Sequence, residues 1–114
     1  MRKQQMQNAA HELATQVRTV EDSIEAALAE IAELQAKMIH ARAVTRAGFV
    51  NSHAAFEQVA ATVSSLVAAR GGIGNCHAAL VDTQQTIPGL RTVAFGEPDE
   101  CPPKVARADL RIVA

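Results

Sequence analysis

The chain has no tryptophan, no tyrosine and only three phenylalanines in 114 residues. Large rings anchor thick cores, so their scarcity favours thin helical packing over a layered sheet-and-helix domain. It also removes the stacking platforms on which single-stranded nucleic acids are held. Charge of one sign is missing too: eleven Lys and Arg stand against twelve Asp and Glu, for a formal net charge of −1. Without a cationic excess there is little to release counterions from a phosphate backbone, and no nucleic-acid partner is expected.

Long apolar runs are absent, and "MRKQQMQNAAHE" has no hydrophobic segment behind its basic residues. Neither a membrane span nor a signal peptide is expected, so the expectation is no membrane partner and a cytoplasmic location. Two cysteines, Cys76 and Cys101, are too few for a disulfide scaffold, which fits a reducing compartment. A bridge between these two, tying the tail to the helices, is the one pairing the sequence allows.

Glycine and proline are missing from residues 1 to 47, and that gap holds the strongest pattern in the chain. Steps of four and three from Met6 give Met6, Ala10, Leu13, Val17, Val20, Ile24, Ala27, Ile31, Leu34, Met38 and Ala41, all apolar. Ala10, Val17, Ile24, Ile31 and Met38 form an a row. Met6, Leu13, Val20, Ala27, Leu34 and Ala41 form a d row. A repeat averaging 3.5 residues marks a helix with one face against another helix. Leu28, at an e position, widens the apolar stripe. In a parallel homodimer Gln16 would face Glu21, Ser23 would face Leu28, Glu30 would face Gln35 and Lys37 would face Arg42. None of these pairs attracts and the last repels, so an antiparallel partner or a bundle is expected.

The phase fails at Thr45, Gly48 and Ser52, and "TRAGFVNS" carries residues suited to a helix stop followed by a new cap. A break is expected at residues 47 to 51. A second helical region then starts near Ser52, with Phe49, His53, Phe56, Ala60, Val63 and Val67 on its face, and runs to Arg70. "GGIG", with three glycines in four residues, costs about 1 kcal/mol per glycine inside a helix. A turn there is the favoured reading, with a third helix from Asn75 to Thr86. One helix through the glycines, giving a plain hairpin, is the alternative.

From Pro88 the character changes. Three of the four prolines and two short β-branched stretches, Arg91 to Phe95 and Leu110 to Val113, lie in residues 88 to 114. The expected fold class is therefore all-α: a long coiled-coil helical hairpin or small three-helix bundle over residues 1–87, with an extended Pro-containing tail over 88–114.

Chemistry-bearing motifs fall short. "NCH" lacks the first cysteine of a haem-attachment motif, with Ile73 in its place. Cys76 and His77 are adjacent, and neighbours on a helix diverge by about 100°, which works against a shared metal with Cys101. His77 and Asp82 are five apart, off the i to i+4 register of a catalytic pair. "GGIG" lacks the Lys-Ser/Thr of a phosphate loop. No catalytic, cofactor or metal site is expected.

The expected function is that of a non-enzymatic structural or adaptor protein. Its interaction residues would be Leu13, Val17, Val20, Ile24, Ala27, Leu28, Ile31, Leu34, Met38, Phe56 and Val63. The partner would be a second copy, as a homo-oligomer, or another helical protein. The alternative is a component of a larger assembly such as a phage virion, with the C-terminal tail as an arm to a neighbouring subunit.

A chain of this length with two long helices around a mid-chain glycine turn resembles, in layout, the small secreted hairpin proteins whose turn carries Trp-x-Gly. The matching positions here are Arg46, Ala47 and Gly48. Arg46 stands where that family has Trp, and the downstream Tyr of its export signal is missing. The likeness is one of layout and assigns no family.

Overall fold

The structure, a computed structural model, describes residues 2–90. The Cys76–Cys101 pairing, and all but residues 88–90 of the expected 88–114 arm, lie outside the described residues. Two α-helices account for the fold: α1, Arg2–Thr45, and α2, Phe49–Gln85. No strand occurs among the described residues, and the fold class is all-α, a helical hairpin. The helices contribute to two compact units: one contains residues 2–21 and 72–90, the other Asp22–Gly71.

In the Asp22–Gly71 unit the connection is only Arg46, Ala47 and Gly48. Arg46 takes the left-handed conformation, with φ of 57°, and the Ala47 N–H reaches back to the Arg42 carbonyl at 3.2 Å. This is the six-to-one bond of a Schellman stop, with arginine in the place that usually favours glycine. A left-handed residue bearing a Cβ costs about 1 kcal/mol or more. Gly48 then caps α2, its carbonyl accepting from the Ser52 N–H at 3.1 Å. The break therefore falls slightly earlier than the sequence suggests, because Gly48 rather than a later Asn or Ser starts the second helix. Ser52 sits inside it, donating its hydroxyl to the Gly48 carbonyl at 2.9 Å.

The favoured reading of "GGIG" as a turn is overturned, and with it the three-helix alternative: α2 runs unbroken through Gly71, Gly72 and Gly74. None of the three has a positive φ. The reason is phase. Val59, Leu66, Ile73, Leu80 and Ile87 recur every seventh residue across the glycines, and all five are at least partly buried. Burying a large aliphatic side chain contributes about 1.5–3 kcal/mol, so a few such residues held in phase offset three helical glycines. Packing decides the helix over local propensity.

α2 ends where proline forbids it to continue. Ile87, Pro88, Gly89 and Leu90 form a tight turn, with Gly89 at φ of 92° and the Leu90 N–H bonded to the Ile87 carbonyl at 3.1 Å. Pro followed by a left-handed Gly is the pattern of a type II turn. It folds Leu90 back into a buried position in the unit of residues 2–21 and 72–90.

Candidate functional site

The helix-facing surface of α1 is not the one its apolar spacing suggests. Gln7, Ala10, Ala14, Val17, Glu21, Ile24, Leu28, Ile31, Gln35, Met38 and Arg42 are all partly or fully buried. Those positions are the a row together with the e row. Of these, Val17 is buried and Ile24, Leu28, Ile31 and Met38 are partly buried, as are Phe56 and Val63 on α2. Val20 and Ala27, from the d row, are half-buried at its edge. Leu13 and Leu34, also from the d row, are 45% and 48% exposed, and Ala41 is exposed. Within the single chain the covered surface of α1 is thus formed by the a and e rows, with the d row on its flank.

Polar groups lie along the surface of α2 that meets α1. Column Phe56, Val63, Arg70, His77 and Gln84 on α2 is apolar at first and polar later. In the Asp22–Gly71 unit, Arg70 Nε pairs with the Glu25 carboxylate. Hydrogen bonding to Glu25, then its charge, holds the Arg70 guanidinium above its ordinary pKa. Both side chains are more than half exposed, so this ion pair is a weak stabiliser. At the other end of the same unit, Arg42 donates from Nη1 to the Ala47 carbonyl at 3.0 Å. Its guanidinium also lies 4.2 Å from the centre of the Phe49 ring. This combination ties the end of α1 to the start of α2.

In the unit of residues 2–21 and 72–90, His77 is the most deeply buried side chain, 2% exposed, with Nδ1 3.4 Å from Glu21 Oε2. A glutamate at a seam position is tolerated because a buried imidazole faces it. Cys76, next in sequence, is exposed. The two side chains diverge, as helix geometry requires, and do not converge on a common ion. Among the described residues no group of three potential metal ligands comes together. Gln84, also buried, donates from Nε2 to the Leu90 carbonyl and so holds the terminal turn. The sequence carries no signal for that bond.

Above this turn lies an apolar groove of about 310 Å³, lined by Met6, Leu13, Leu80, Thr83, Ile87 and Leu90 among others. The Thr83 hydroxyl is already engaged by the Ala79 carbonyl at 3.0 Å, so the lining presents little unsatisfied polarity. Leu13 is thus both a wall of the groove and an exposed member of the d row.

The fold and this surface define an all-α hairpin with an open apolar flank on its first helix. No protein-family model, no curated protein and no solved structure matches the chain. No helix among the described residues is long and apolar enough to cross a membrane.

Proposed function

We propose that the protein is a non-enzymatic structural or adaptor module that associates through the d row of α1, with itself or with another helical protein. The observation that carries this reading is the exposure of Leu13 and Leu34 within an otherwise unbroken apolar row. The a and e rows are used inside the chain. The d row has the spacing of a second seam, and Leu13, Leu34 and Ala41 on it stay exposed at the flank of the first.

Thin packing supports the same reading. Among the described residues only Val17, Leu90, His77 and Gln84 are buried, and two of those are polar. Two helices can cover one stripe each, whereas a bundle of four covers most apolar positions. The polar pair also supports a structural role: buried His77 faces partly buried Glu21, and neither lines the groove, which is mostly apolar.

Light scattering on the full chain and on the double variant Leu13→Gln/Leu34→Gln tests the proposal. The expected result is a mass above the 12.1 kDa of one chain, falling to one chain in the variant while helicity is kept. A wild-type chain that stays single at every accessible concentration, and captures no helical partner through this row, refutes it.

A further inference from the structure

The connection between the helices carries a second surface, independent of the d row. No acidic residue occurs between Glu33 and Glu57; Lys37 and His53 pair with those two carboxylates, and Arg42, Arg46 and His40 lie between them. Seven large hydrophobic side chains are exposed among the described residues, and five of them, Leu34, Ile39, Val44, Phe49 and Val50, fall in that stretch, the last four between residues 39 and 50. Phe49 and Val50, at the first turn of α2, are 76% and 89% exposed. Arg42 is stacked on the inner side of this cluster against the Phe49 ring. Arg46 occupies the left-handed position that glycine would take without strain. A cationic side chain is thus kept beside the apolar apex at a conformational cost.

We propose that the Val44–Val50 apex is a peripheral docking surface for an anionic lipid leaflet, Phe49 and Val50 entering the interface while Arg42 and Arg46 meet the headgroups. Complementary charge selects the partner: cations and exposed hydrophobics without a nearby carboxylate are what an anionic interface attracts. A turn between two helices is convex, which suits a leaflet that yields around it. An acidic protein would need a matching concave site. A second copy meeting apex to apex would set Arg42 and Arg46 against their own like charges. The missing membrane span does not bear on this contact, which needs a patch and no transmembrane segment.

The test is sedimentation of the full chain with vesicles of phosphatidylcholine containing phosphatidylglycerol, against phosphatidylcholine alone. Binding is expected only to the anionic vesicles, and to fall as salt is raised. Arg46→Gly relieves the left-handed strain, so it keeps the fold while weakening binding about five-fold, the share of one cation near such a surface. Val50→Asp should abolish binding. Because the chain lacks Trp and Tyr, Phe49→Trp gives a single fluorophore whose emission should shift to the blue on anionic vesicles alone. Leu13→Gln/Leu34→Gln should bind as wild type does, which separates this surface from the association row. Absence of binding to anionic vesicles, equal binding to neutral ones, or unaltered binding by Arg46→Gly and Val50→Asp overturns the proposal. So does retention by an acidic polypeptide without any vesicle binding, which would assign the apex to a protein partner.

Discussion

Replacing the three glycines of "GGIG" by alanine should stabilise the protein. Gly71, Gly72 and Gly74 lie inside α2, none has a positive φ, and a Cβ built on any of them meets nothing within 4 Å. Each substitution therefore removes backbone freedom from the unfolded chain without creating a clash. Alanine is favoured over glycine in a helix interior by about 0.8–1.0 kcal/mol, so the triple variant should gain roughly 2–3 kcal/mol if the sites are close to additive. For a domain of this size that corresponds to a rise in Tm on the order of 10–20 °C. Thermal and urea melts followed by far-UV circular dichroism, on single and triple variants at one protein concentration, give the answer. A fall in Tm would mean that these glycines adopt conformations a Cβ cannot follow. The continuous α2 would then be wrong and the turn reading restored.

Two further substitutions probe the ends of the hairpin. Arg46→Gly should raise stability by about 1 kcal/mol, since glycine takes the left-handed stop without strain, and urea titration reads the gain directly. Gln84→Leu should cost about 1–3 kcal/mol by leaving the Leu90 carbonyl without its donor in a buried place. Faster amide exchange at Leu90, whose N–H closes the terminal turn, should accompany that loss.

Much of the architecture was legible because apolar spacing reports directly on which helix face avoids water. The long first helix, the break beside Gly48 and the stop at Pro88 each follow from spacing or from backbone chemistry. The orientation of α1 was not legible in the same way. Its e row contains Gln7, Glu21, Gln35 and Arg42, which look like solvent positions, and the d row contains Leu13 and Leu34, which look like core. Only the fold shows that His77 faces Glu21, and that the Ala47 carbonyl and the Phe49 ring hold Arg42. With those polar groups in the covered surface, Leu13 and Leu34 of the d row lie at its flank. The glycines misled for a related reason. Their cost is local and visible in any window, whereas the phase that overrides it joins Val59 to Ile87 across four heptads.

The candidate surfaces divide along the same line. Leu13 and Leu34 were named from spacing, but their availability to a partner depends on the rotation of α1. The apex of Val44, Phe49 and Val50 was marked in the sequence only by its lack of acids. Its exposure follows from the short turn, which leaves the first residues of α2 without a neighbour to cover them.

Cysteine accessibility tests the rotated seam and the association together. Single cysteines at Leu13, Val17, Ile31 and Leu34, in a background of Cys76→Ser and Cys101→Ser, would be labelled with a maleimide at low and high protein concentration. Positions 17 and 31 are expected to react slowly throughout, and positions 13 and 34 to react fast when dilute and slowly when concentrated. Slow labelling of 13 and 34 at every dilution would return them to the intramolecular seam. Fast labelling at every concentration would leave the row without a partner.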